Sequence, residues 1–213
     1  ITARAAFGIP FVFSHGADYE AIARLHGRTV WKWRWLRHLA FRLAAAVIVP
    51  NPVHARVLRA AYPEARIVHI PNWVDTEMFR PRERVTRPKR PRLVRVLYVG
   101  RLVLEKNLPR LARVCQKLGA ALTCLGAGPD EQELRDLKAF CPGIIRWEDL
   151  PAWHQHADVF CLPSFTEGHP KALLEAMASG LACAVSTGIQ AYMMNTMMNT
   201  TTFHPPDEAG MAD

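Results

Sequence analysis

Apolar and polar positions along the chain follow two rhythms. Short apolar runs recur at Phe11-Val12-Phe13, 44–49, 66–70, 93–99, 121–125, 143–147, 159–162 and 181–185. Bounded by Pro, Gly and Asn, such runs read as strands, most of them buried. Between them, apolar residues recur at helical spacing, as with Ala17, Ala21 and Leu25, then over 30–44, 53–62 and about 107–118. Further helices are predicted from Asp130, from Leu150 and from Pro170, whose missing N–H suits a first helical position. Strands alternating with helices through short connections predict an α/β fold with parallel sheets.

Two stretches stand apart from this alternation. In 30–44 a row of Trp31, Trp35, Leu39 and Leu43 predicts the face that packs on a sheet, and Trp beside Arg also suits a membrane interface. Residues 80–92 carry seven Lys/Arg, one Glu and three prolines, and read as a stiff, solvated linker. The expected organisation is therefore 1–79, a linker at 80–92, and a second domain at 93–213.

The most informative stretch runs from Ser164 to Ala178. A buried strand, Val159–Leu162, ends at Pro163, and the helix after Pro170 is apolar on nearly every side. Such a helix is usually buried, yet it contains Glu175, and a buried carboxylate is costly unless something pairs with it. Eight residues earlier lies a second carboxylate, Glu167, followed by Gly168, which permits close approach to the backbone. Two carboxylates, a loop and a helix start at the carboxyl end of a strand describe a polar ligand site. The alternative for Glu175 is an ordinary exposed or salt-bridged helix residue.

Composition narrows the classes. No run of 18 apolar residues occurs, so no membrane-spanning helix is expected. The five cysteines form no C-x-x-C pair, which argues against a zinc site or disulfide framework and for a reducing, cytoplasmic setting. Of the net charge of +8, residues 1–44 carry +5, 80–92 carry +6, and 93–213 carry −3. The basicity thus belongs to the first half and the linker, which fits an acidic surface or acceptor there. A nucleic-acid role for 80–92 lacks interleaved aromatics and any matching fold signature.

Further motifs follow the strands. His15-Gly16 ends the first one, and Gly100-Arg101-Leu102 with Glu105-Lys106-Asn107 follows the run 93–99. Two cations five apart at a helix head suit a diphosphate. Gly126-Ala127-Gly128-Pro129 follows 121–125, and is no dinucleotide fingerprint because the third glycine is absent. Together with Pro71-Asn72-Trp73-Val74-Asp75 and the E-x7-E pair Glu167/Glu175, these motifs resemble the group 4 retaining glycosyltransferases. The resemblance spans about 8–190 and is strongest in 93–187. Trp73 stands where that family usually has Gly.

The resemblance implies a GT-B architecture: two Rossmann-like parallel-sheet domains facing a cleft, the first partial and the second lacking its closing helices, so that the chain reads as a fragment. It implies transfer of a sugar from a nucleotide-sugar donor to a glycan or lipid-linked acceptor with retention of configuration. Glu175 then binds the ribose. Glu167 with Gly168, His169 and Pro170 holds the donor sugar and phosphates. Arg101 and Lys106 take the phosphates beside Gly100, the loop of Gly126 and Gly128 lies near the nucleoside, and His15 faces the donor sugar. No D-x-D occurs, so neither metal nor cofactor is expected. Peripheral contact with the inner face of a membrane is expected, and nucleic-acid binding is not. The alternatives are a non-catalytic nucleotide-sugar-binding fragment and a basic nucleic-acid binder.

Overall fold

The computed structural model describes residues 10–16, 19–27, 31–81, 93–186 and 200–203. Most of the 80–92 linker and of the Met/Asn/Thr-rich tail lie outside them, as does Asp18. Chain contacts group into two compact units, Ile1–Asn72 with Thr166–Pro170, and Trp73–Phe165 with Lys171–Asp213.

The first unit holds a parallel sheet of β1 (Val12–Ser14), β2 (Ala46–Val49) and β3 (Ile67–His69), paired in that order. Its helices are α1 (Tyr19–Leu25), α2 (Trp31–Leu43) and α3 (Pro52–Ala61). The core gathers Phe41, Val47, Val49, Ala55, Leu58 and Ile67. Two expectations change here. β1 is not a buried strand: Val12 is 57% exposed, because β1 lies at the end of the strand order. In α2 the buried residues are Ala40 and Phe41 among those described, while Trp35 of the predicted row is 65% exposed and Leu39 and Leu43 are half-buried. Arg37 turns inward as well, donating from Nε to Tyr62 Oη at 3.1 Å and pairing with Glu20.

The second unit contains β4 (Arg95–Val99), β5 (Ala121–Leu125), β6 (Phe140–Gly143), β7 (Val159–Leu162), β8 (Ala182–Ser186) and β9 (Thr200–Phe203). They form one parallel sheet in the order β6-β5-β4-β7-β8-β9. With α4 (Leu108–Lys117), α5 (Glu131–Asp136), α6 (Leu150–His156) and α7 (Lys171–Ala178), this is the expected Rossmann-like pattern. The sixth predicted strand moves from 143–147 to Phe140–Gly143, and Ile144 is 82% exposed. Pro142 and Gly143 resemble breakers, but β6 ends the strand order, where a missing N–H costs little. All five cysteines are free and buried, and burial pushes Cys161 and Cys183 up to about 12.

Strand order fixes where a ligand can bind. From β4 the chain winds outward to β5 and β6, then returns to the other side of β4 for β7, β8 and β9. Loops leaving β4 and β7 therefore diverge at a topological switch point, the crevice open sheets of this kind use for ligands.

Candidate functional site

Both switch-point loops carry motif residues. After β4, the backbone passes Gly100 and Arg101 and enters a 3₁₀ turn, Leu104–Lys106. Asn107 follows in the left-handed conformation at φ 53°, which Asn tolerates better than most residues, and α4 begins at once. The Asn107 side chain is buried, and its amide nitrogen has no protein partner. After β7, Phe165 N–H donates to the Glu105 carbonyl at 2.9 Å, and Ser186 Oγ donates to the Ser164 carbonyl at 2.6 Å. The first bond holds the loops after β4 and β7 side by side at the carboxyl ends of their strands, and the second ties the β7 loop to the end of β8.

The glycines of the β5 exit are set by packing. A Cβ at Gly126 would stand 2.0 Å from Gly100 O, and one at Gly128 would stand 2.1 Å from Leu102 O. Gly100 N–H donates to Leu125 O at 2.9 Å and Leu102 N–H to Ala127 O at 3.0 Å, so the loops after β4 and β5 are joined backbone to backbone. Close approach already accounts for Gly126 and Gly128. Tyr98, fully buried, donates from Oη to Arg101 O at 2.9 Å and steadies the same turn.

Charges are distributed unevenly over these loops. The Arg101 side chain is 71% exposed, and its Nη2 lies 3.2 Å from Oε1 of Glu105, which is buried. Sequence reading passed over Glu105, whose polarity within an E-K-N run gave no sign of burial. Asp130, just past Gly128-Pro129, has its carboxyl raised by burial and by the neighbouring Glu133 and Glu105.

Glu175 is buried at 4% exposure on α7, as expected from its apolar surroundings. Its Oε1 accepts a hydrogen bond from Trp147 Nε1 at 3.2 Å. Burial pushes the carboxyl up, and the Trp147 bond and the Lys171 ammonium pull it back in part. The Lys171 ammonium lies 5.1 Å from the Trp73 ring centroid and 5.4 Å from that of Trp147. Trp73 keeps an ordinary backbone, since among the described non-glycine residues only Asn107 and Lys138 have positive φ.

The remaining expected residues belong to the first unit. His15 follows β1, is buried, donates its backbone N–H to Ile48 O at 2.9 Å, and meets the Phe41 ring edge-on at 5.8 Å. Glu167 is half-buried and Gly168 buried. The loop is tied by two asparagines of the first unit. Asn51 Nδ2 donates to Gly168 O at 2.9 Å while its Oδ1 caps α3, and Asn72 Nδ2 donates to His169 O at 2.5 Å. The His169 imidazole is held below its usual value by burial and by nearby His69. Pro170 precedes α7, which starts one residue later than expected, at Lys171. Among the described residues, no group of three or more His, Cys, Asp or Glu is placed to hold a metal ion.

Fold and loops together define an α/β protein with a polar site at the switch point of a parallel sheet. The chain belongs to the group 1 (family 4) glycosyltransferases: the model described as "Glycosyl transferases group 1" matches residues 94–213, and "Glycosyltransferase Family 4" matches 1–78. It is 32% identical over 163 residues to the sulfoquinovosyl transferase SQD2 of Arabidopsis thaliana, covering 70% of this chain and 32% of that protein. It is 31% identical over 212 residues to the UDP-Gal:alpha-D-GlcNAc-diphosphoundecaprenol alpha-1,3-galactosyltransferase of Escherichia coli, covering 87% and 54%. The chain thus spans between a third and about half of these relatives. Sucrose-phosphate synthase from Thermosynechococcus elongatus has a similar fold, with a TM-score of 0.79, 20% identity, and 97% and 57% of the two chains covered.

Proposed function

We propose that the chain carries the donor site of a glycosyltransferase that moves a sugar from a nucleotide sugar to a glycan or lipid-linked acceptor, with retention and without a metal. The observation that carries this is Glu175: a carboxylate buried on α7, bonded to a neutral indole rather than locked to a cation, beside the loop leaving β7. Such a group retains hydrogen-bonding capacity for a sugar diol. Glu175 would take the ribose hydroxyls, and Arg101 and Lys106 the diphosphate. Glu167 with the Gly168–Pro170 backbone would hold the transferred sugar, and His15 would serve its hydroxyls. Charge building up on the leaving diphosphate needs fixed donors and cations, which Arg101, Lys106 and backbone N–H groups supply. The leaving phosphate would accept the proton of the attacking hydroxyl. In domain terms, 1–79 would serve the acceptor, 80–92 would be the linker, and 93–213 would bind the donor.

The lipid-linked acceptor is favoured by α2, where Trp35 and Leu36 are exposed and Arg34 and Arg42, though each lies within 4 Å of a carboxylate (Glu20 and Glu64), remain largely solvent-accessible, which suits an anionic membrane face. The E. coli relative is named for a diphosphoundecaprenol substrate. Among the described residues no helix is long and apolar enough to cross a membrane. Calorimetric titration with UDP-, GDP- and ADP-sugars tests the donor reading: saturable binding of one of them supports it, and binding of none refutes it.

A further inference from the structure

Resting on the donor-site reading, we infer that Trp147 is a positioning residue for Glu175: its indole N–H occupies one carboxylate oxygen and aims the other at the ribose. An ionised carboxylate offers about four acceptor sites on two oxygens. Trp147 Nε1 takes Oε1 at 3.2 Å. An indole donates but carries no charge, so the carboxylate is oriented without being neutralised. A cation in the same place would orient it and cancel it.

The ring that makes this bond is itself held. Trp147 opens the 3₁₀ turn Trp147–Asp149, and Phe79 packs against it with ring centroids 5.9 Å apart and a 54° tilt. The Lys171 ammonium, one helical turn before Glu175 on α7, lies 5.4 Å from its centroid and attracts the ring face. Trp147 is 37% exposed. At that exposure water could satisfy its N–H, so burial alone does not force the indole toward Glu175. The aim of the donor is a separate feature of the site. Sequence reading placed Trp147 in a strand and gave it no role.

The test is a double-mutant cycle of Trp147→Phe and Glu175→Ala in the 213-residue chain, titrated with UDP, GDP and ADP and with their 2′,3′-dideoxy forms. Phe retains a ring against Phe79 and Lys171 but has no donor. The expected result is about tenfold weaker binding of the best ribonucleoside diphosphate in Trp147→Phe, the scale of one hydrogen bond to a charged group. In the Glu175→Ala background, where the indole has no acceptor left to orient, the same change should cost less than about twofold. The dideoxy form should not distinguish Trp147→Phe from wild type. A merely structural role would weaken every nucleotide in both backgrounds alike, and that result overturns the inference. Should Trp147→Phe fail to fold, the indole N–H resonance of Trp147 decides. It should shift on ribonucleoside diphosphate binding and move upfield in Glu175→Gln, and a resonance indifferent to both overturns the proposal. If none of the three diphosphates binds wild type, the donor-site reading falls and this role with it. Binding that ignores position 147 overturns only this inference.

Discussion

Replacing Glu175 with Gln separates what the carboxylate does for a ligand from what it does to the fold. Gln is nearly isosteric, and its Oε1 can still accept from Trp147, so the change removes charge and little else. A hydrogen bond to a charged group contributes about 1.5–3 kcal/mol against about 0.5–1.5 for a neutral one. The charge is therefore worth about 1 kcal/mol per ribose bond, roughly five- to tenfold in Kd. Stability should move the other way. Burial raises the Glu175 carboxyl above its ordinary 4.5, so the native state keeps a proton that the unfolded chain has released. Stability then falls as pH rises from about 4.5 through the folded value, and the deficit is complete above it. Glu175→Gln should melt higher than wild type near neutral pH, converge with it below about pH 4.5, and bind the preferred nucleoside diphosphate more weakly throughout the neutral range. Scanning calorimetry at two pH values and isothermal titration measure both effects. Unchanged affinity would refute the ribose role, and unchanged neutral-pH melting would refute the buried-charge argument beneath it.

Four other substitutions test the frame of the fold. Gly126→Ala should cost about 3 kcal/mol or more, since its Cβ would meet Gly100 O at 2.0 Å at a φ of +138°. Gly119→Ala, at φ +62° with open space around it, should cost only about 1–2 kcal/mol, with urea titration measuring both glycine variants. His154 is fully buried between Phe79 and Phe160, donates from Nδ1 to Leu150 O, and is held below its ordinary 6.5 by burial. Its contribution is complete above about pH 6.5 and is lost as pH falls toward the folded value, so His154→Leu should flatten the decline of melting temperature between neutral and mildly acidic pH. Asn51→Ala removes the α3 cap and the tether to Gly168 together; it should cost about 1–2 kcal/mol and speed amide hydrogen exchange around Gly168, and unchanged exchange would exclude the tether.

Sequence pattern located the central strands well because they are buried on both faces. The runs at 121–125 and 159–162 coincide with β5 and β7 residue for residue. It failed at edges and partners. β6 hid behind Pro142 and Gly143, and α2 turned Ala40 and Phe41 inward while Trp35 stayed out. The two-unit parallel architecture was legible, and so was the burial of Glu175. The donor to Glu175 was not, because Trp147 lies 28 residues away and no local spacing connects them. Glu105 and Asn51 were missed for a related reason: each matters through a bond to a segment distant in the chain or through burial that polarity conceals.

The backbone ladder joining the exits of β4 and β5 has a thermodynamic corollary. A segment that must still order itself on capture charges that entropy against affinity, commonly about 1–2 kcal/mol for each residue fixed. Here the stretch from Gly100 to Leu102 is already clamped to 125–127 by main-chain bonds. On the proposed donor role, an anion arriving at this rim would meet a preset cradle, and differences in affinity among nucleotides would be written by the side chains that surround it.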